Sequence, residues 1–96
     1  MAKSVLVFLM EGYEEIETVS PIDILRRAEA DVTVASISDS LSVKGRSNLV
    51  LQADVLLSSV AADRVFDCVV VPGGPGTKLL RESPDVLSIV KRYCCL

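Results

Sequence analysis

Acidic side chains follow the first apolar run of the chain and are the first groups that could carry chemistry. Residues 4–10 read SVLVFLM, and Glu14, Glu15 and Glu17 fall within the next seven positions. A carboxylate placed after a buried strand can point into the crevice where open α/β sheets bind ligands. Glu17 is the best candidate, because it flanks the apolar Ile16, and a half-buried carboxyl group there could donate a hydrogen bond in its protonated form. The alternative is that these acids only stabilise a helix N-terminus.

A glycine-rich turn is the second candidate. Val71 is followed by the sequence PGGPG over residues 72–76, which includes Gly73 and Gly74. Glycines directly after a strand leave backbone N–H groups open to a ligand, as in anion nests and oxyanion holes. The alternative is a strand-to-helix turn in which glycine serves backbone geometry alone. No Gly-Lys-Ser/Thr follows the turn, which excludes a phosphate-binding loop of the Walker type, and the dinucleotide-binding glycine pattern is absent.

Histidine and cysteine usage limits the reactions open to the chain. It has no histidine, so its own residues cannot form a Ser-His-Asp or Cys-His site. Its three cysteines give no metal or disulfide framework, and unpaired thiols suit a reducing compartment. Cys68 lies in a valine-rich segment, which predicts a buried and inert thiol. Cys94 and Cys95 fall at the predicted C-terminal end of a helix, where the helix dipole disfavours a thiolate, so neither is expected to be catalytic.

Length and composition predict one small folded domain. The chain has 96 residues, of which 50% are hydrophobic, and its formal net charge is −3. Lys and Arg form no dense stripe, so binding of nucleic acid is disfavoured. The apolar run near the N-terminus is too short for a membrane helix. We therefore expect no nucleic-acid or membrane partner and a cytoplasmic location, with the nucleus or a plastid left open.

Strands that alternate with helices predict a parallel α/β sheet. Continuous apolar runs are typical of strands buried on both faces, and apolar residues at three-residue steps indicate an amphipathic helix. Pro21 falls inside the first helix and is expected to kink it or break it near Ser20. Ser83 followed by Pro84 predicts the start of the last helix. The predicted elements are strands over residues 4–10, 31–36 and 65–71, helices over 14–28 and 83–95, a hairpin over 43–51 and a helical turn over 77–81, with residues 51–60 ambiguous.

The last predicted helix has no following strand to which it could return. A sheet with three principal strands would then keep one apolar edge uncovered, and such edges invite pairing. We expect a partner, another chain segment or the rest of the domain to cover this edge.

Taken together, these segments resemble the DJ-1/PfpI (ThiJ/PfpI) family, and its DJ-1 branch most of all. The likeness rests on VLVFLMEGYEEIETVSPIDILRRAEADVTVAS and, thirty residues later, on FDCVVVPGGPG. It implies a flavodoxin-like fold, which is a parallel sheet with helices on both faces. It also implies that residues 1–96 are the N-terminal part of a single, incomplete domain.

The resemblance implies a function and a site as well. Family activities include cofactor-independent glyoxalase and protein deglycase reactions on methylglyoxal and glyoxal, oxidative-stress responses and chaperone action, and members are typically homodimers. Glu17 matches the family glutamate whose protonated carboxyl group hydrogen-bonds the reactive cysteine. Gly73 and Gly74 match a turn in which the N–H of Gly74 would face an oxyanion. The nucleophilic cysteine belongs to an elbow beyond the last helix, which Cys94 and Cys95 do not match.

We therefore expect a small reactive aldehyde as the substrate of the completed domain, with no cofactor and no metal. The expected partner is a second copy of the chain or the remaining half of the domain. With no nucleophile of its own, the chain alone is expected to be inactive. The alternative is a non-catalytic interaction or chaperone-like module, either a truncated isoform or a fragment, that uses its uncovered sheet edge.

Overall fold

The computed structural model describes residues 2–93, in which the predicted strands, hairpin and helices occur in the predicted order. A 3₁₀ turn at Leu57–Ser59 precedes the last strand. The elements in chain order are β1 (Ser4–Leu9), α1 (Glu15–Arg27), β2 (Asp31–Ser36), β3 (Ser42–Lys44), β4 (Val50–Gln52), β5 (Val55–Leu56), β6 (Cys68–Val70), α2 (Thr77–Arg81) and α3 (Pro84–Lys91).

Four strands form a parallel sheet in the order β5-β2-β1-β6. Strand β1 lies in the interior, with Val5 opposite both Val32 of β2 and Cys68 of β6. Successive side chains of a strand point to opposite faces, and every residue of β1 from 5 to 9 is buried. Both faces of β1 are therefore covered, which confirms the predicted α/β fold with a parallel sheet and helices on both faces.

Helix α1 runs through Pro21, so the predicted break beside this residue is wrong. Proline has no N–H to donate to the carbonyl group four residues earlier, which here belongs to Glu17. The helix continues because Ile22 and Leu25 pack against the core and the carboxylate of Glu14 caps the first turn. One missing backbone hydrogen bond is outweighed by this packing and capping.

Only the second half of the predicted apolar stripe of α1 faces the core. Ile22 and Leu25 pack there, but Ile16 is 74% exposed and Val19 is exposed as well. The buried position in the first half of the helix is Thr18. The N-terminal half of α1 therefore presents apolar side chains to its surroundings.

Strands β3 and β4 form the predicted hairpin as a separate antiparallel sheet, with Val43 opposite Leu51. Val43 is buried and Leu51 is packed against the core, so the hairpin is fixed to the body of the molecule. The segment that the sequence left ambiguous forms β5, which pairs with β2, and the 3₁₀ turn.

Strand β6 is shorter than the predicted strand over residues 65–71, and its cysteine is not buried. Val65 lies before the strand and is 74% exposed. Cys68 is exposed, so the prediction of a buried thiol is wrong. The reason is that β6 ends the sheet, and no strand among residues 2–93 pairs with its outer side. Cys94 and Cys95 lie outside the described residues.

Helix α3 begins as predicted, because the hydroxyl group of Ser83 accepts a hydrogen bond from the N–H of Val86 at 3.3 Å. The helix ends at Lys91, before the predicted end at residue 95. None of the helices within residues 2–93 has the length and apolarity needed to cross a membrane. The predicted apolar face of α3 and the residues after it packs against the core through Val86, Ile89, Val90 and Tyr93.

Candidate functional site

The carboxyl ends of β1 and β6 lie side by side where the direction of the chain connections changes. From β1 the chain passes through α1 to β2 on one side, whereas β6 lies on the other side of β1. Open α/β sheets bind ligands in the crevice at such a switch point. The β1 loop (residues 10–14) and the β6 loop (residues 71–76) both begin there.

The two loops are in direct backbone contact. The N–H of Glu14 donates to the carbonyl group of Gly73 at 3.0 Å, and the N–H of Gly76 donates to the carbonyl group of Gly12 at 3.1 Å. Gly74 has φ of +116°, and a Cβ there would lie 2.7 Å from the backbone nitrogen of Glu14 and from the carbonyl oxygen of Gly12. Backbone geometry therefore requires glycine at this position, whatever the turn binds.

Glu17 reaches the same turn from the first part of α1. Its carboxyl oxygen Oε1 lies against Gly73, in the space into which a Cβ of that residue would project. The structure thus brings together Glu17 and the Gly73–Gly74 turn, the two features selected from the sequence. Glu17 is exposed, so the expectation of a half-buried carboxyl group is wrong for the described residues. The physical reason is that the first turns of α1 are themselves uncovered, as the exposure of Ile16 shows.

Glu14 caps helix α1, whereas Glu17 does not. Its carboxylate accepts hydrogen bonds from the N–H groups of Ile16 at 3.2 Å and of Glu17 at 3.0 Å, and it therefore caps α1. Side-chain capping satisfies donors that a helix N-terminus would otherwise offer to an anion. The carboxyl group of Glu17 accepts no hydrogen bond from residues 2–93, so it is the acid at this turn that stays available to a ligand.

Two backbone donors of the β6 loop are also available. Among the hydrogen bonds of the described chain, the N–H groups of Gly73 and Gly74 have no acceptor, while the carbonyl groups of both residues accept from Glu14 and Thr77. Adjacent N–H groups without partners can bind an anion or a developing oxyanion. A carboxyl group that can transfer a proton therefore contacts a turn that can hold a negatively charged oxygen.

The hairpin is held beside the β1 loop by side-chain contacts that the sequence did not predict. The Oε2 atom of Glu15 accepts hydrogen bonds from the N–H groups of Ser47 at 2.8 Å and of Leu49 at 3.4 Å. The hydroxyl group of buried Tyr13 donates to the carbonyl group of Leu49. Gly45 has no room for a Cβ, because the Glu15 carboxyl group and the Tyr13 ring fill that space. These partners lie more than thirty residues apart, and no periodic pattern in the sequence signals such contacts.

The surroundings of Tyr13 and Glu15 shift the pKa of each group in the direction that favours its hydrogen bonds to the hairpin. Burial, and then the charges of Glu15 and Glu11, raise the pKa of the Tyr13 hydroxyl group, so it stays a donor. Partial burial acts to raise the pKa of Glu15, but the N–H groups of the hairpin and the charge of Arg46 outweigh it, and the pKa is lowered. The Oε1 atom of Glu15 is buried and has no hydrogen-bond partner within residues 2–93.

Glu15→Gln is expected to loosen the hairpin, because an amide oxygen accepts the two N–H groups more weakly than a carboxylate. The folded state lowers the pKa of Glu15 below its ordinary value of 4.5, so the stabilisation is present above that pH and is lost as pH falls through the folded-state value. Amide hydrogen exchange at Ser47 and Leu49 should be several-fold faster in the variant at pH 7. Acidification should remove the protection of these two amides against exchange in the parent chain. In the variant, their protection should not change with pH.

The matched control for this prediction is Glu82→Gln, which alters an exposed acid at the end of α2. It should leave the exchange rates of the hairpin amides at their parent values. Equal protection of Ser47 and Leu49 in the Glu15→Gln and Glu82→Gln variants would show that the Glu15 carboxylate does not hold the hairpin.

Comparison with known proteins identifies the family. The family model described as "DJ-1/PfpI family" matches residues 3–94, a range that contains Glu17, Gly73 and Gly74. The chain belongs to the DJ-1/PfpI family. The resemblance predicted from the sequence is therefore confirmed.

Individual DJ-1 proteins share both sequence and fold with the chain. Protein DJ-1 homolog A of Arabidopsis thaliana is 41% identical over 91 residues, which cover 94% of this chain and 23% of that protein. The Caenorhabditis elegans protein named glutathione-independent glyoxalase DJR-1.2 is 36% identical over 90 residues, covering 93% of this chain and 47% of that protein. The solved structure of oxidized DJ-1 from Toxoplasma gondii has a TM-score of 0.91 and 41% identity, covering 96% of this chain and 50% of that one. The chain thus spans half or less of the length of these DJ-1/PfpI relatives.

Proposed function

We propose that this chain supplies the acid and the oxyanion donors of a cofactor-independent glyoxalase or protein deglycase site that acts on methylglyoxal or glyoxal. The observation that carries the proposal is the contact between the Glu17 carboxyl group and the Gly73–Gly74 turn at the switch point of the sheet. Support also comes from the related C. elegans protein, whose name is that of a glutathione-independent glyoxalase. Glu17 serves as proton donor and acceptor, and Gly74 as oxyanion donor beside Gly73.

The proposed chemistry begins with attack of a thiolate on the aldehyde carbon. A carbon–sulfur bond forms, and the π electrons of the carbonyl group move to oxygen, which becomes an oxyanion. The N–H groups of Gly73 and Gly74 would stabilise that oxygen, and Glu17 would transfer protons to and from the reacting groups. The resemblance implies that the nucleophilic cysteine belongs to the second half of the domain. Cys68 cannot replace it, because it is the first residue of β6 and lies five positions before Gly73, which is roughly 15 Å in an extended chain.

The purified chain is expected to produce no lactate from methylglyoxal above the uncatalysed background, because residues 2–93 bring an acid and backbone donors to the turn but no thiol. Lactate is measured by an enzyme-coupled assay on protein of verified intact mass. Measurable lactate formation that Glu17→Gln abolishes would contradict the prediction, because it would show a complete site within this chain.

A homodimer in the cytoplasm, with a role in oxidative stress, completes the proposal. Apolar side chains at the N-terminal half of α1 and on the hairpin give the dimer a candidate surface, since they are exposed although each belongs to a well-formed element. Val50 of β4, for example, is 54% exposed. The other members of this surface are Ile16, Val19 and Leu49.

A second candidate function is a non-catalytic interaction or chaperone-like module. It is favoured by the outer side of β6, which pairs with no strand among the described residues and is followed by Val71, 52% exposed. Sedimentation velocity distinguishes this candidate from the first. Self-association that rises with concentration and is lost on Val71→Glu would support the module, and a stable monomer or a dimer insensitive to Val71→Glu would count against it.

A further inference from the structure

Tyr13 is the largest completely buried side chain among residues 2–93, although it lies in the β1 loop and not in a strand or helix. Its ring lies against Gly45 of the hairpin, where an added Cβ would come within 2.8 Å of the ring atom Cε1. Its hydroxyl group donates to the carbonyl group of Leu49, at the other end of the hairpin turn. A ring without the hydroxyl group would fill nearly the same volume, so packing alone does not account for a tyrosine at this position.

The peptide group between Tyr13 and Glu14 connects the hairpin to the β6 loop. Its carbonyl oxygen accepts a hydrogen bond from the N–H of Arg46 at 2.9 Å, and its N–H donates to the carbonyl group of Gly73 at 3.0 Å. A trans peptide group is planar, and its carbonyl and N–H groups point in opposite directions. Rotation of this one group would therefore break both hydrogen bonds at once.

Gly12 forms a second backbone link of the same kind. Its N–H donates to the carbonyl group of Lys44 in β3 at 2.9 Å, and its carbonyl group accepts from the N–H of Gly76 at 3.1 Å. Tyr13 thus lies in a segment that is hydrogen-bonded to the hairpin on one side and to the β6 loop on the other. The position of the Gly73–Gly74 turn therefore depends on the position of the hairpin.

The acid of the candidate site depends on the same segment. The carboxylate of Glu14 accepts a hydrogen bond from the N–H of Glu17 at 3.0 Å and so fixes the first turn of α1. Glu14 also shares a peptide group with Tyr13, which the buried ring holds in place. The side chain of Tyr13 is therefore connected through the backbone to both parts of the site, the acid and the glycine turn.

The hydroxyl group of Tyr13 can be removed without leaving a buried polar group unpaired. The carbonyl group of Leu49 also accepts a hydrogen bond from the N–H of Gly45 at 2.9 Å, which closes the hairpin turn. Tyr13→Phe keeps this bond and the volume of the ring, so the chain is expected to stay folded. What the substitution removes is the attachment of the turn to the Tyr13 side chain.

We propose that Tyr13 is a positioning residue for the candidate site, because its side chain fixes the Gly73–Gly74 turn through the Tyr13–Glu14 peptide group. It acts through the backbone and not on a substrate. The proposal rests on the proposed function in taking this turn as the place where an oxyanion binds, whereas the connection between hairpin and turn can be tested without activity. The alternative is that Tyr13 only fills the core.

The test compares the same substitution at the two tyrosines of the chain. Tyr93→Phe is the matched control, because the Tyr93 hydroxyl group also takes part in one hydrogen bond, from the N–H of Phe66 at 2.7 Å, and Tyr93 also packs against the core. In Tyr13→Phe, the amides of Glu14 and Gly76 should exchange hydrogen about fivefold faster or more, as expected from the loss of one intramolecular hydrogen bond. In Tyr93→Phe, their rates should stay within about twofold of the parent. Exchange is measured without denaturant, where local opening dominates.

Amide chemical shifts give a second measurement, which a change in stability alone would not affect. The ¹H and ¹⁵N shifts of Gly73 and Gly74 are expected to move in Tyr13→Phe and to stay at parent values in Tyr93→Phe. Equal exchange at Gly76 in the two variants, or unmoved glycine shifts in Tyr13→Phe, would show that Tyr13 only fills the core. A hairpin loosened by Glu15→Gln that leaves exchange at Gly76 unchanged would contradict the proposal too.

These measurements separate the role of Tyr13 from the proposed function, because they need neither an aldehyde nor a thiol. Faster exchange at Gly76 in Tyr13→Phe, together with no lactate formation by a completed domain, would count against the proposed activity and leave the positioning of the turn established. Lactate formation by a completed domain, together with unchanged exchange at Gly76, would remove the role of Tyr13 alone.

Discussion

Gly76→Ala is expected to destabilise the chain by about 2–3 kcal/mol, the cost typical of forcing an atom into packed structure. A Cβ on Gly76 would collide with the carbonyl oxygen of Glu11 and lie 3.0 Å from the carbonyl carbon of that residue and from Cγ of Met10. Met10 is completely buried directly after β1, and the clashing carbonyl group belongs to the next residue, so relief of the collision must shift backbone that is attached to the core. The loss is a large fraction of the stability of a domain of this size.

Gly76→Ala tests the contact between the β1 loop and the β6 loop, because the sign of the change in the free energy of unfolding depends on that contact. Gly76 has φ of −75°, which alanine adopts readily, and without the collision Gly76→Ala should stabilise by about 0.4–1 kcal/mol. The matched control is Gly73→Ala, whose Cβ meets only the flexible end of the Glu17 side chain. Urea unfolding followed by circular dichroism is expected to show a large loss for Gly76→Ala and less than about 1 kcal/mol for Gly73→Ala. Equal changes in the two variants would contradict the interlocked loops.

Glu17→Gln is expected to lower lactate formation by about 100-fold or more, since general acid–base catalysis contributes about 10²–10⁴-fold. The test uses a single-chain chimera, in which this chain is followed by the half of T. gondii DJ-1 that it does not match. The substitution keeps the size and shape of the side chain beside Gly73 but removes its ability to give or take a proton. The expected change is therefore in turnover, with the free energy of unfolding unchanged because the carboxyl group has no hydrogen bond within residues 2–93.

Two further variants separate a catalytic effect from a change in charge. Glu29→Gln removes one negative charge from an exposed position just after α1, at the opposite end of that helix, and should keep the parent rate. Gly73→Ala displaces the Glu17 carboxyl group without removing it and should give an intermediate rate. A Glu17→Gln rate within twofold of the parent chimera would contradict the proposed role of this acid.

The fold could be predicted because its main signals are local. The continuous apolar run of β1 indicates a strand buried on both faces, and β1 is covered on both sides as expected. The meeting of Glu17 with Gly73 also follows from a general rule, because loops at the carboxyl ends of neighbouring parallel strands share one crevice. The apolar pattern of the strands and the topology of a parallel sheet were together sufficient to predict that Glu17 and Gly73 lie at the same edge of the sheet.

What the sequence did not predict depends on neighbours that are remote along the chain. The thiol of Cys68 is exposed because β6 is the edge strand of the described sheet. The valine-rich sequence around Cys68 does not indicate whether its strand lies at the edge or in the interior. Pro21 stays inside α1 because the core packing of Ile22 and Leu25 outweighs a local preference. The attachment of the hairpin by Glu15 depends on residues more than thirty positions away.

The decisive experiment for the proposed site is lactate formation from methylglyoxal by the folded chimera, without added glutathione and in the presence of a metal chelator. If this chain supplies the acid and the oxyanion donors of a DJ-1/PfpI aldehyde site, lactate accumulates under these conditions in proportion to enzyme concentration. A chimera that is folded by circular dichroism, has a reduced cysteine in its second half and still forms no lactate would contradict the account.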